Sequence, residues 1–291
     1  MTVGLGQAWY PAWKKYKSCL IKRGVRVITL DLFSLGWASR LKKVDQKIDF
    51  YLWHADTWEE NYRQIHDRIY FIEKILNKPI FPNFNQYYSY NDKIKQKEIF
   101  DYLDLPQIPT YIFNDYESAV KKVSLMTYPI IIKNAYSAAG EGLIKVDTKK
   151  EAKKIVNRIF SRGYRGIKGY LYVQKFIPNL KGDLRIITVG DKVATAYWRR
   201  SQNDWRHNIS QGAKASFDNI PVSAKNFCLK ISKQMNFHWL AYDLIIDQKK
   251  IKLLEWTCNF GCKAPKEIGI DMRDKLVEYA LKNYHQSNDK K

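Results

Sequence analysis

Strand-like and helix-like segments alternate along the N-terminal part of the chain, and this alternation narrows the possible folds more than any other feature. Apolar residues recur at helical spacing at residues 12–23, and an alternating, β-branched run follows at 25–32. A second strand-like run at 48–53 precedes a second helical pattern at 58–76. This order is typical of an α/β unit with a parallel sheet.

Beyond this unit, which a short strand near Ile80 and the turn-prone residues 83–92 close, predicted strands outnumber predicted helices. Helices are expected at 92–103 and 116–125. Strands are expected at 110–113, 130–133, 142–146, 171–176, 184–189, 192–198, 239–246 and 251–256. The whole pattern predicts a mixed α/β (α+β) protein.

Composition supports a folded, strongly basic protein. The 291 residues include 14% aromatic residues, more than a disordered chain of this charge carries. Lys and Arg number 50 against 29 Asp and Glu, for a net charge of +21. Residues 151–200 alone hold 12 basic and 3 acidic residues. Such a field attracts nucleic acids, anionic polymers and phosphorylated small molecules alike, so composition does not choose among them.

Other classes of protein are disfavoured by what the sequence lacks. The four cysteines form no CxxC pair and the five histidines are scattered, so no structural zinc site is expected. No apolar run reaches the roughly 18 to 20 residues of a membrane span, and no signal-peptide pattern opens the chain. We expect a soluble, cytoplasmic protein.

Residues 128–146 contain the first candidate for phosphate chemistry. A buried strand delivers Lys133, and a loop of small residues with Ser137, Gly140 and Gly142 follows. Backbone N–H groups of such a loop can approach phosphate oxygens while the lysine supplies a point charge. Taken alone, an ordinary β-hairpin with a glycine turn explains the segment equally well.

Residues 170–212 add basic side chains at the ends of two predicted strands. Asp183 and Arg185 lie on one strand, Arg199 and Arg200 end the next, and Arg206 and Asn208 follow. Arginines at strand ends suit a cleft that holds a transferable phosphate. The alternative is an exposed hairpin with solvated arginines.

Two carboxylates form the third candidate. Asp243 lies in an apolar strand and Glu255 ends the next strand, 12 positions later. A hairpin would put them side by side, and two buried like charges need a cation between them. Hard oxygen ligands favour Mg²⁺ or Mn²⁺.

These three motifs, in this order, resemble the ATP-grasp superfamily, and most closely its RimK-type glutamate ligases and glutathione-synthetase-like members. The resemblance covers about residues 91–262. It implies an ATP-grasp fold with an N-terminal Rossmann-like pre-ATP-grasp domain. The implied domains are 1–90 and 91–291, with a lid at about 112–173.

The resemblance also implies a role for each motif residue. Nucleotide binding falls on Lys93, Lys133, Ser137, Gly140, Gly142, Gln174, Lys175, Phe176, Ile177, Asp183, Arg206, His207 and Asn208. Arg185, Arg199 and Arg200 would face the reacting phosphoryl group, as catalytic residues. Asp243 and Glu255 would bind the metal ion. Thr257 stands where the family has an asparagine, so Thr257 or Asn259 would complete the metal site.

The implied activity is an ATP-dependent carboxylate–amine ligase that forms an amide through an acyl phosphate. It would use ATP, Mg²⁺ (or Mn²⁺), a carboxylate donor and an amine acceptor such as an amino acid, peptide or sugar-linked compound. An ATP-grasp kinase and a non-catalytic nucleotide or polyanion binder are the alternatives. We expect the basic block at 151–200 to serve the cleft, without specific nucleic-acid binding. Gly4 and Gly6 predict no dinucleotide site, and the aromatic residues at 53–58 are expected in the core or at a domain interface.

Overall fold

The computed structural model describes residues 1–8, 11–55, 61–137, 142–177, 182–201, 205–209 and 212–288, which form three β-sheets with flanking helices. Gly140 lies outside these ranges, as do residues 56–58 of the aromatic stretch. Of the helices that the structure describes, none combines the length and apolar character that a membrane span requires.

The first sheet is parallel, as the alternating pattern predicts. Its strands are β1 (Thr2–Gly6), β2 (Arg26–Leu30), β3 (Phe50–Leu52) and β4 (Ile80–Phe81), in the order β2-β1-β3-β4. The accompanying helices are α1 (Ala12–Ile21), α2 (Trp37–Lys42), α3 (Tyr62–Tyr70), which continues as a π-helical turn (Phe71–Ile75), and α4 (Phe84–Tyr88).

Sequence periodicity did not predict β1, because two of its five residues are glycines. Their absent side chains make room for aromatic rings from β3 and the residue after it. A Cβ on Gly4 would come within 2.7 Å of Tyr51 Cδ1, and one on Gly6 would overlap Trp53. Trp53 is fully buried, which confirms its predicted place in the core.

The second sheet is antiparallel and lies between residues 110 and 175. Its strands are β5 (Thr110–Phe113), β6 (Ile130–Lys133), β7 (Leu143–Val146) and β8 (Leu171–Lys175), in the order β5-β8-β6-β7. Helices α6 (Tyr116–Leu125) and α7 (Lys149–Ser161) share a core with its alternate residues, such as Ile130, Ile132 and Val173. Because strand side chains alternate between faces, Lys133 projects on the face away from these helices.

The third sheet carries most of the predicted site. Its antiparallel strands are β9 (Asp183–Val189), β10 (Lys192–Arg200), β11 (Lys214–Ser216), β12 (Trp239–Asp247) and β13 (Lys250–Thr257), in the order β11-β10-β9-β12-β13. The remaining helices are α5 (Lys93–Tyr102), α8 (Val222–Gln234), α9 (Lys263–Glu267) and α10 (Met272–Asn288). The last three were not predicted from the sequence.

Two hydrophobic cores join the first and third sheets. One contains Tyr51 and Trp53 together with Trp256, and the other contains Val3 and Leu5 together with Trp239. The second sheet and its two helices have a core of their own. The site described next therefore rests on a framework that the first and third sheets build together.

Candidate active site

A cavity of about 460 Å³ lies where the third sheet meets the start of α5. Eight of the residues that the sequence predicts for the site line it, namely Lys93, Ser137, Arg185, Arg199, Asn208, Glu255, Thr257 and Asn259. They come from segments far apart in the chain, so the fold gathers them. The cavity continues past them to Gly261 and Lys263.

Strand register organises the charged groups on the floor of the site. Asp183 on β9 is the cross-strand neighbour of Arg199 on β10. Arg185, two residues along β9, is the neighbour of Asp243 on β12. Asp243 is in turn paired with Glu255 on β13, as the 12-residue spacing predicted. Residues two apart on a strand share a face, so the Asp183–Arg199 pair and the row Arg185, Asp243 and Glu255 lie on one side of this sheet.

The two arginines are held by bidentate ion pairs. Arg185 donates from Nε to Asp243 Oδ1 and from Nη2 to Asp243 Oδ2, both at 2.7 Å. Arg199 donates to the two oxygens of Asp183 at 2.5 and 2.8 Å, and from Nη2 to Asp243 Oδ2 at 2.8 Å. This geometry fixes each guanidinium plane where it borders the cavity.

The pKa values in this network reflect burial against charge pairing. Burial opposes ionisation of Asp243, but the two guanidinium groups outweigh it and hold the pKa of this carboxyl below its usual range. Burial raises the pKa of Asp183 to about 6, because only Arg199 pairs with it directly and the charge of Asp243 lies nearby. Burial disfavours the charged form of Arg199, yet its two carboxylate partners raise its pKa.

Lysines approach the cavity from the other side. Lys93 begins α5, whose N-cap Asp92 accepts hydrogen bonds from the backbone N–H groups of Ile94 and Lys95. Its Nζ donates to the carbonyl oxygen of Ser137 and lies 3.7 Å from Glu255 Oε2. The helix cap thus places Lys93, a predicted phosphate-binding lysine, directly beside the carboxylate of Glu255.

Lys133 is buried at the end of β6 and does not border the cavity. Burial lowers the pKa of its ammonium to about 8, although the charge of Glu255 opposes this. Among the residues that the structure describes, none forms a hydrogen bond or ion pair with the Lys133 ammonium, whose Nζ lies 6.0 Å from the ring centre of Tyr172. Because a buried charge without a partner is costly, an anion bound next to this ammonium would be stabilised.

The predicted glycine loop and hinge flank these lysines. The backbone N–H of Asn134 donates to the Gly142 carbonyl, and the positive φ of +67° at Gly142 lets the chain turn into β7. Gln174 is buried and donates to the Thr110 hydroxyl, so its side chain serves the sheet. Lys175 donates its backbone N–H to Pro109, and the ring of Phe176 packs edge-on against Trp205. None of the predicted hinge residues 174–177 borders the cavity.

Several predicted residues point elsewhere. Arg200 is exposed and lies over the ring of Trp198, on the face of β10 opposite to Arg199. Arg200 therefore does not share the face of β10 on which Arg199 borders the cavity. Arg206 and His207 do not border the cavity, and His207 Nδ1 accepts the backbone N–H of Ser201. Asn208 is the member of this segment that reaches the wall.

The predicted metal ligands are adjacent but do not fit a two-carboxylate metal site. Both oxygens of Asp243 already accept hydrogen bonds from guanidinium groups. The Thr257 hydroxyl donates to the carbonyl of Asn259 and accepts its N–H, which closes a local turn. The described part of the chain holds no group of three or more acidic, histidine or cysteine side chains that could bind an ion. Among the described residues that line the cavity, Glu255 is the one that offers carboxylate oxygens.

One residue that positions the site was missed from the sequence. Gln96 is buried one turn after Lys93, and its amide donates to the carbonyls of Ser89 and Trp256 and accepts the N–H of Trp256. It therefore ties α5 to β13 next to Glu255. A glutamine on the buried side of a helix is the signal that could have indicated it.

The basic block at 151–200 divides between two surfaces. Arg185 and Arg199 border the cavity, whereas Lys153, Lys154 and Arg158 are exposed on α7. That helix packs on the face of the second sheet opposite to Lys133. These three basic residues therefore lie away from the cavity lining.

Comparisons with known proteins show which family the chain resembles. Residues 91–280 match the family model of the RimK-like ATP-grasp domain. The ribosomal protein bS6–L-glutamate ligase of Escherichia coli O139:H28 is 25% identical over 154 residues, 52% of this chain and 50% of the relative. A probable alpha-L-glutamate ligase of Picosynechococcus sp. is 27% identical over 158 residues, 53% of this chain and 51% of the relative. The chain spans about half the length of the curated relatives it matches.

Solved structures extend the likeness to the whole fold. D-alanine–D-alanine ligase from Bacillus anthracis superposes with a TM-score of 0.72 at 13% identity, over 100% of this chain and 99% of that one. A RimK domain ATP-grasp protein from Sphaerobacter thermophilus gives 0.69 at 13% identity, over 97% and 100%. These matches confirm the predicted ATP-grasp fold. Because the family model also covers more than half of the sequence, the chain belongs to the RimK-like ATP-grasp family.

Proposed function

We propose that this protein is an ATP-dependent carboxylate–amine ligase. The observation that carries the proposal is the pair of guanidinium groups, Arg185 and Arg199, that fixed carboxylates hold against a cavity also lined by Lys93. Donors that are rigid before the reaction stabilise charge that develops on a phosphoryl group during transfer. The family membership supports ATP as the phosphoryl donor.

In the proposed reaction, a substrate carboxylate oxygen attacks the γ-phosphorus of ATP and ADP leaves. The resulting acyl phosphate lies beside Arg185 and Arg199, whose positive charge offsets the negative charge of the transferred phosphoryl group. An amine nitrogen then attacks the acyl carbon, inorganic phosphate leaves, and the nitrogen loses a proton. Lys93 supplies positive charge for the nucleotide phosphates inside the cavity. Lys133 and the backbone of residues 174–177 lie outside the cavity lining, and in this proposal they contact the part of the nucleotide that extends beyond it, with the adenine at 174–177.

We propose an amino acid as the amine substrate, with L-glutamate as the first candidate. The matched relatives are named as glutamate ligases, although their similarity covers about half of each protein. The part of the cavity beyond the arginines, toward Gly261 and Lys263, leaves room for such a substrate next to the phosphate site. The carboxylate donor is open to amino acids, peptides and sugar-linked acids.

The test is ADP formation with pairs of carboxylates and amines, followed by mass spectrometry of the product. We expect ADP release that depends on both partners and a product lighter than their sum by one water. ADP release that needs no amine would favour a kinase, and no ADP release with any pair would contradict both activities.

A matched pair of variants links the activity to the site. Arg199→Gln removes a guanidinium from the cavity, whereas Arg200→Gln removes an exposed one from the opposite face of the same strand. Turnover should fall steeply in the first variant and stay near that of the unmodified protein in the second. Equal effects would contradict the proposed site.

A further inference from the structure

Asp243 occupies the position of a family metal ligand but makes different contacts here. Its side chain is 3% exposed and its two oxygens accept three hydrogen bonds from Arg185 and Arg199. The Glu255 side chain, its cross-strand neighbour, is 37% exposed and borders the cavity. The two carboxylates are adjacent in the sheet yet face different partners.

The charges of the buried ion-pair network balance without a metal ion. Asp183 and Asp243 carry two negative charges, and Arg185 and Arg199 carry two positive ones, so the buried network is neutral. If Asp243 turned to a cation, Arg185 would lose its only carboxylate partner in the described network, and Arg199 would keep Asp183. The cation would also approach two guanidinium groups of like charge.

The residues next to Glu255 do not complete a metal site that would include Asp243 either. The hydroxyl of Thr257, at the third family position, is engaged with the backbone of Asn259. Glu255, in contrast, is held at the cavity by Gln96, which bonds the next residue, Trp256, on both of its backbone groups. Of the two paired carboxylates Asp243 and Glu255, Glu255 is thus the one that faces the cavity.

We propose that Asp243 is a positioning residue for Arg185 and Arg199, and that Glu255, not Asp243, is the carboxylate of this cross-strand pair that is available to a divalent cation entering with the nucleotide. The inference rests on the proposed function, because it assumes that ATP or ADP binds in this cavity. Mg²⁺ retains waters and shares phosphate oxygens, so one protein carboxylate is compatible with its chemistry.

The test measures binding of Mn²⁺ by electron paramagnetic resonance in the presence of ADP, without relying on turnover. Changes to residues outside the ligand set of a metal typically weaken metal binding by roughly 10- to 100-fold. Glu255→Gln removes a proposed ligand and should weaken Mn²⁺ binding by at least this factor. Asp243→Asn should weaken Mn²⁺ binding clearly less than Glu255→Gln does, because no ligand is lost. The double variant Asp243→Asn with Arg185→Gln removes one charge of each sign and serves if the single variant folds poorly.

The outcomes separate the two proposals. ADP binding is measured on its own by calorimetry in EDTA, and failure of the unmodified protein to bind ADP overturns the proposed function together with this inference. If ADP binds and Asp243→Asn, or the double variant, loses as much Mn²⁺ affinity as Glu255→Gln, Asp243 is a metal ligand and only the present inference is overturned.

Discussion

Replacement of Asp243 by asparagine should destabilise the protein strongly. The change removes a buried negative charge that accepts three charge-assisted hydrogen bonds, at 2.7, 2.7 and 2.8 Å, and leaves two guanidinium groups with Asp183 as their remaining carboxylate. Breaking a buried ion pair from one side typically costs about 3 to 5 kcal/mol. At roughly 2 to 4 °C per kcal/mol for a domain of this size class, the melting temperature should fall by on the order of 10 °C.

The assay is thermal unfolding followed by circular dichroism, without nucleotide or metal. Glu255→Gln is the matched control, since it changes the adjacent carboxylate on the same ladder, which is more than one-third exposed, and should move the midpoint far less. The contribution of Asp243 to the free energy of unfolding depends on pH with a defined sign. Because the pKa of Asp243 is lowered in the fold, its contribution is present above the ordinary aspartate pKa of about 3.9 and is lost as the pH falls below that value.

An unchanged or higher melting temperature in Asp243→Asn would refute this reasoning. Such a result would mean that repulsion between Asp243 and Glu255 dominates the unliganded protein, as expected for two carboxylates that await a metal ion.

Three further predictions concern the nucleotide site and the core. Burial lowers the pKa of Lys133 to about 8, and a bound phosphate should raise this pKa again, so ATP binding at pH 8.5 should take up protons and weaken as the pH rises. Calorimetry in buffers of different ionisation enthalpy measures the proton uptake and the affinity. Proton uptake that is unchanged in Lys133→Met would contradict the assignment of Lys133 to the phosphate site. Gln96→Leu should weaken nucleotide binding while the protein remains folded, because the link between α5 and β13 is lost; an unchanged Kd would show that Gln96 does not position Lys93. Gly6→Ala should destabilise by about 1 to 3 kcal/mol through overlap with Trp53, measured by urea unfolding, with the open Gly24→Ala as a comparison for backbone strain alone.

Local signals predicted some elements closely. The helix at Tyr116–Leu125 and the strand at Ile130–Lys133 have the predicted bounds. The helix begins where Asp115 accepts the N–H of Ser118, which is a capping pattern visible in the sequence. Strand β1 escaped prediction because its glycines lower strand propensity, although its backbone pairs on both sides.

The finer features of the site depend on contacts that are distant in sequence. The spacing of Asp243 and Glu255 predicted their pairing, but not that β9 would bring Arg185 to the other side of Asp243. Nor could the sequence decide between Arg199 and Arg200, because a register shift between Val193 and Thr195 breaks the simple alternation along β10. Register and bulges, and with them side-chain direction, are set by tertiary pairing.

Transfer of oxygen-18 tests the central claim most directly. The carboxylate donor found in the ADP-forming screen is labelled with oxygen-18 in its carboxyl group and turned over once with ATP and its amine partner. If the reaction passes through an acyl phosphate beside Arg185 and Arg199, one carboxyl oxygen leaves with the phosphoryl group, and the inorganic phosphate carries one oxygen-18 atom. Inorganic phosphate free of the label, formed together with the amide, would contradict the account.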